Sequence, residues 1–198
     1  MSVAEENRSE DSASAGAAIR EIVERQRAAH IREGAPSAER RIEWIDRAIA
    51  LLVDNQKEIA EAMASDFGHR SIEQSLLTDI MGSIGPLKHA KKHLRNWMKP
   101  EKRKVMFPLG LFGAKARIEY QPKGVVGVIS PWNFPINLTF VPLAGIFAAG
   151  NRAIIKPSEF TPATSELMAR MFREAYDETE VAVVTGGPAV GEAFSRQP

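Results

Sequence analysis

An α/β fold, with a Rossmann-like parallel sheet and crossover helices, is predicted by three features of this sequence. Strand-like apolar runs begin near Val125, Ala153 and Val181, each 28 residues after the last. That is the length of a strand, a crossover helix and the turns that parallel pairing requires. The runs Val125-Val126, Val128-Ile129 and Ala153-Ile154-Ile155 show no polar alternation, which marks strands covered on both faces. Two of them stop on polar or rigid residues, Ser130-Pro131-Trp132-Asn133-Phe134-Pro135 and Lys156-Pro157-Ser158-Glu159. The carboxyl ends of parallel strands are where such sheets place ligands.

Composition narrows the class of protein. The chain has 198 residues, 44% hydrophobic and 26% charged, enough for one globular domain or for one domain plus an appendage. A net charge of +1 creates no global field toward nucleic acid or membrane, so neither is expected as a partner. The absence of cysteine excludes a disulfide framework, a thiolate metal site and a cysteine nucleophile within these residues. The N-terminal stretch is polar without an apolar signal-like core, and no run approaches a membrane span. A cytoplasmic location is expected.

The elements follow in order. Residues 1–16 have the composition of a disordered tail. Residues 17–104 are read as N-terminal helices. The first spans Ala17 to Glu33, with Ile19, Ile22, Val23 and Gln26 on one face and Gly34 as its cap. Ser37 caps a longer second helix that carries apolar positions from Ile42 to Met63 and breaks at Gly68. A third runs from about Ser71 to Met98, where Gly82, Gly85 and Pro86 leave a kink, an interruption and a continuous helix all open. Residues 105–123 read as a β-arm, because Ala116 to Gln121 alternates with period two. Such a ribbon is marginal alone and needs a surface to pack on. Residues 124–198 form the Rossmann-like region, with an almost wholly apolar crossover at Leu138–Ala149 and an amphipathic one at Thr164–Asp177.

Two features invite a stronger reading than they support. His89 and His93 have the i, i+4 spacing of metal ligands, but no third ligand is in view and their neighbours are lysines. A solvated helix face accounts for them, and no metal is expected. The basic run from Lys88 to Lys104 resembles a phosphate-binding patch, yet charge runs at helix ends are commonly just solvated.

The chemistry concentrates at the strand ends. Lys156 closes a buried strand, where an ammonium is costly unless it faces a crevice; Glu159 beyond it could accept from ribose hydroxyls. A plain Lys–Glu surface pair is the alternative. Asn133 lies between two prolines, and its neutral amide suits an oxyanion that forms during reaction. It could equally serve its own turn. The glycines after the third strand read G-G-x-x-x-G, not the dinucleotide fingerprint, so a ligand loop and an ordinary turn fit them equally.

Taken together, Ser130 to Pro135, Ala148-Ala149-Gly150-Asn151 and Lys156 to Glu159 resemble the aldehyde dehydrogenase superfamily over nearly the whole chain. Within it, Ala64–Ser71, Lys91–Glu101 and Tyr120–Gly124 are most similar to the coniferyl aldehyde dehydrogenase group. The resemblance implies NAD(P)-dependent oxidation of an aldehyde to a carboxylic acid through a cysteine thiohemiacetal, with NAD as cofactor and NADP possible. It implies Asn133 as the oxyanion-hole residue, and Ile129, Pro131, Trp132, Lys156, Glu159, Gly187, Pro188 and Gly191 as cofactor contacts. It makes the β-arm an oligomerisation element, hence a homodimer or higher homo-oligomer. Family enzymes are more than twice as long, and their general-base glutamate and nucleophilic cysteine have no counterpart here. The chain is therefore expected to be an N-terminal cofactor-binding fragment, incomplete relative to the family and inactive alone; a non-catalytic nucleotide-binding or dimerisation module is the alternative.

Overall fold

The structure, a computed structural model, describes residues 3–198. Residues 1 and 2 of the expected disordered tail lie outside the described residues. From residue 3 onward that tail is helical, as the first half of α1 (Val3–Glu33). Low hydrophobicity says that a segment cannot build a core of its own. It does not prevent extension of a helix nucleated elsewhere. Here the anchor is the buried stripe Ile19, Val23, Gln26 and Ala29. Gly34, at φ 71°, ends the helix, a left-handed conformation that glycine adopts without steric cost.

The longer second helix expected after Ser37 is two helices, α2 (Ala38–Asp54) and α3 (Gln56–Phe67). The break is Asn55, whose side-chain amide donates to the Leu51 carbonyl at 2.9 Å. An Asn side chain competing for backbone groups in this way lets the chain leave helical geometry. Ser37 does cap α2, accepting from the Arg40 amide. The next stretch consists of α4 (Ile72–Gln74), a π-helical segment over Ser75–Met81 and α5 (Gly82–Trp97). The irregularity thus falls before the glycines rather than on them.

The arm is a two-stranded antiparallel ribbon, β1 (Glu101–Arg103) and β2 (Ala116–Ile118), with Glu101 opposite Ile118. Its first strand falls inside the region read as helical, so the arm begins earlier than residue 105. A strand spelled Glu-Lys-Arg is solvated on both faces and has no apolar signal to detect.

Strands β3 (Val125–Ile129), β4 (Arg152–Lys156) and β5 (Val181–Val183) form a parallel sheet in the order β3-β4-β5. Val126 stands opposite Ala153, and Ala153 opposite Val181, so the pairing offsets match the expected period to within one residue. Helices α6 (Asn137–Ala148) and α7 (Pro162–Ala175) connect the strands, and α8 (Pro188–Ser195) follows β5. Ala153 and Ile155 point into one core with Trp44, Leu52, Leu87, Phe140, Phe147 and Phe172. Ile154 and Ala182 point the other way, onto Ile19 and Val23 of α1 and Phe194 of α8. The sheet is therefore the middle of three layers, as a parallel sheet must be to hide both faces. Gly127 lets Phe194 reach it, since a Cβ there would come within 2.9 Å of that ring.

Buried polar groups pin the layers. Glu180, just before β5, accepts from the Trp44 indole at 2.9 Å and pairs with Arg40 and Arg47 of α2. Asp66 of α3 caps α7 from a distance, accepting the Ala163 and Thr164 amides at 2.9 and 2.8 Å. Charge at a helix N-terminus is favourable, and α7 lacks a side-chain cap from its own Thr161.

Candidate functional site

The ladder between β3 and β4 runs one step beyond the strands. Ile129 pairs with Lys156 in register, and the Ser130 amide donates to the Lys156 carbonyl at 3.0 Å. The chain then turns away through Pro131–Pro135. Thr139 of α6 holds this turn from beneath: its hydroxyl donates to the Pro135 carbonyl at 2.7 Å and lies 2.6 Å from the Ser130 hydroxyl. Both hydroxyls are buried, so the base of the turn is satisfied and fixed.

Above that base, the turn is open. Pro131, Trp132 and Asn133 are exposed. The Trp132 ring sits 6.3 Å from that of Phe67. Among the described residues the Asn133 side-chain amide has no protein partner, whereas its backbone carbonyl accepts from Arg70 Nη1 at 2.7 Å. The amide is free to donate outward.

Lys156 is 3% exposed, and its ammonium donates to Glu159 at 2.6 Å. A surface pair is therefore the wrong description of the lysine, although Glu159 keeps one side toward solvent. The lysine's hydrogen bond holds the Glu159 carboxyl below the usual carboxylate range. Gly191 of α8 lies alongside: a Cβ added there would stand 3.8 Å from the Lys156 Cε. Ile129, Lys156, Glu159 and Gly191 are thus one group around the ends of β3 and β4. Gly187 and Pro188 lie at the start of α8, bordering an opening of about 750 Å³ shared with Ser14, Ala15 and Ala18 of α1. Open space surrounds Gly187, while Gly186 takes φ 145° and packs against Val190. Trp132 and Asn133 form a separate group on the turn.

A cleft of about 830 Å³, lined by Trp97, Met98, Tyr120, Ala149 and Asn151 among others, lies at the opposite end. It adjoins the amino end of β4, whereas parallel sheets bind ligands at their carboxyl ends. His89 and His93 lie with ring centroids 4.4 Å apart and tilted, and His93 stacks on Trp97, an aromatic ladder along α5.

Sequence reasoning missed Arg70 and Asp79, which stand behind the Asn133 turn. Arg70 Nη2 donates to Asp79 at 2.6 Å, and both side chains are almost fully enclosed. Burial pushes the Asp79 carboxyl above its ordinary value, opposed by the Asn137 amide and the Arg70 charge. An Arg in the linker before α4 and an Asp nine positions on, in the π-helical segment, carry no periodic signal that they meet.

An open parallel sheet with an enclosed lysine at one strand end and an asparagine turn at the next is an α/β domain whose crevice lies where such sheets place their ligands. The comparisons sharpen this: residues 4–198 match the aldehyde dehydrogenase family, and the chain belongs to it. A probable coniferyl aldehyde dehydrogenase of Caulobacter vibrioides is 66% identical over 180 residues, covering 90% of this chain and 37% of that protein. The coniferyl aldehyde dehydrogenase of a Pseudomonas species is 54% identical, covering 89% and 36%. Among solved structures, the substrate-bound state of Staphylococcus aureus AldH superposes with a TM-score of 0.81 at 31% identity, covering 88% of this chain and 37% of that one. An indole-3-acetaldehyde dehydrogenase complexed with NAD+ gives 0.75 at 27% identity, covering 91% and 36%. The chain spans little more than a third of the length of these relatives. No described helix is long and apolar enough to cross a membrane.

Proposed function

We propose that these residues form the cofactor-binding part of an NAD(P)-dependent dehydrogenase that oxidises an aldehyde, with a coniferyl or other aromatic aldehyde favoured, to the carboxylic acid. The observation that carries this is the enclosed Lys156–Glu159 pair beside Gly191, with the unpartnered Asn133 amide on the adjoining turn. The residues fit the cofactor: Lys156 has polar capacity beyond its bond to Glu159, and Gly187 leaves space for a close backbone approach. In this reading Lys156 and Glu159 hold the ribose hydroxyls of the adenosine. Ile129, Pro131 and Trp132 line the crevice floor, and Gly187, Pro188 and Gly191 border the adenosine. When bound, the nicotinamide ring is the hydride acceptor. Asn133 donates from its side-chain amide to the substrate oxygen as that oxygen gains charge, and needs no desolvated counter-charge to do so. Glu159 favours NAD over NADP, because a carboxylate repels a 2′-phosphate.

The expected result is that NAD+ titrated into the chain gives measurable heat and that Lys156→Ala weakens binding about tenfold or more, the scale of one lost charge-assisted hydrogen bond. No heat with the wild-type chain would remove the cofactor-binding reading.

The arm supports a homo-oligomer. Phe107 and Phe112 at its tip are 80% and 82% exposed, alongside Met106 and Leu111, exposed large apolar side chains of the kind that partners cover. Sizing by light scattering is expected to show dimers or larger species; a stable monomer would count against the assignment. The second reading, a non-catalytic nucleotide-binding or dimerisation module, is favoured by the absence of cysteine from these residues.

A further inference from the structure

We propose that Arg70 is a positioning residue for Asn133: its guanidinium holds the backbone of the asparagine turn, and Asp79 holds the guanidinium. The functional importance of the turn rests on the oxyanion role given to Asn133 above; the clamp itself rests on geometry.

Arg70 spends both ends of its fork. Nη1 donates to the Asn133 carbonyl at 2.7 Å, while Nη2 donates to Asp79 Oδ2 at 2.6 Å and lies 3.3 Å from the Thr78 hydroxyl. The guanidinium is also held on its faces, with its central carbon 4.9 Å from the Phe67 ring and 5.1 Å from the Phe134 ring. Asp79 is fully buried, and its other oxygen accepts the Asn137 amide at 3.1 Å. The connection therefore runs from the Asn133 carbonyl through Arg70 and Asp79 to the first residue of α6. It bridges the two ends of the segment that carries the oxyanion donor.

Two further details serve the same bridge. The π-helical segment that carries Asp79 also presents the Thr78 carbonyl, which accepts from the Asn137 side chain at 3.1 Å. Gly82 makes room for this approach, since a Cβ there would stand 2.9 Å from Asn137 Nδ2. Locally widened helices of this type recur where a side chain must be re-aimed. Among the described residues Arg70 is the one hydrogen-bond partner of the Asn133 carbonyl, so it is the direct hold on the peptide plane next to that side chain. Arg70 makes that bond and the Asp79 bond from two separate nitrogens of one rigid plane. A lysine carries its three donors on a single nitrogen at the end of a flexible stem, so it cannot stand at both positions at once.

Arg70→Lys separates positioning from folding for that reason: it keeps the charge beside Asp79 and loses the simultaneous hold on Asn133. Hydrogen–deuterium exchange read by mass spectrometry follows residues 130–138, where the Asn137 and Leu138 amides are bonded to Asp79 and Phe134. Residues 152–156 of β4 serve as the internal reference. The expected result for Arg70→Lys is exchange about tenfold faster or more over 130–138 with β4 protection unchanged. Asp79→Asn is expected to accelerate the same segment. Wild-type exchange over 130–138 in Arg70→Lys would overturn the proposal, and so would a parallel loss of protection in β4, which would make the pair a plain fold determinant. NAD+ calorimetry separates this result from the functional reading. Arg70→Lys is expected to keep wild-type NAD+ affinity, and a matching loss would place Arg70 in the cofactor site instead. If the wild-type chain binds no NAD+, the functional reading fails while the exchange comparison, made without ligand, still decides the clamp.

Discussion

Asn133→Ala is expected to lower kcat by about 10²–10³ in an active enzyme that joins these residues to a nucleophilic cysteine, such as a chimaera with the remainder of the 66%-identical relative. The size follows from what the side chain contributes. A neutral amide on a rigid turn meets an oxygen that carries little charge in the ground state and nearly a full charge at the transition state. Its bond is worth most when the charge is greatest, so the loss appears in kcat. The KM for NAD+ is expected to stay within a few-fold of wild type, because the cofactor group around Lys156 and Glu159 does not include the Asn133 side chain. Steady-state kinetics with both substrates varied is the measurement. An unchanged kcat would remove Asn133 from the mechanism, and a rise in the NAD+ KM of the same size would move it to cofactor binding.

The parts of this site that were legible in sequence share one property: their partners are close along the chain. Lys156 and Glu159 lie three residues apart and meet. The strand ends were visible because apolar runs terminate there, and the 28-residue period fixed which strands are neighbours. Gly34 and Gly68 announce helix ends because a left-handed residue leaves a compositional mark. Whatever depends on contact across the fold left no such mark. The cap on α7 comes from Asp66, almost a hundred residues upstream, and the hold on Asn133 comes from Arg70.

The misplaced boundaries each have an identifiable cause. Asn55 splits the second helix through a bond to its own backbone neighbourhood, against an apolar period that continues past it. The strand Glu101–Arg103 is set by pairing with Ala116–Ile118, not by any preference of its three charged residues. Residues 3–16 continue α1 because its later turns are anchored by the buried stripe Ile19, Val23, Gln26 and Ala29. In the last two cases structure elsewhere in the fold overrides a weak local tendency, whereas at Asn55 a local side-chain bond overrides the apolar period.

The 198-residue chain, purified free of host dehydrogenases, is expected to form no NADH when given NAD+ and an aromatic aldehyde. An aldehyde carbon releases its hydrogen with the electron pair only after a nucleophile has added to it and left electrons on the oxygen. A thiolate does this readily near neutral pH, and these residues contain no cysteine. The groups nearest the asparagine turn are poor substitutes. Ser130 is buried, with its hydroxyl against Thr139 rather than facing the opening. Thr139 is fully enclosed and committed to the Pro135 carbonyl. Lys156 could in principle add to an aldehyde, but only as a neutral amine, and its ammonium is tied to Glu159 in an enclosed pocket. No described hydroxyl near the turn has a histidine beside it to draw off its proton. Cofactor binding without turnover is therefore the expected combination, and absorbance of NADH over hours at high protein concentration is the measurement. Sustained NADH formation would require a nucleophile that the geometry around Asn133 does not supply, and would overturn the division of labour drawn between these residues and the cysteine-bearing part of the family's enzymes.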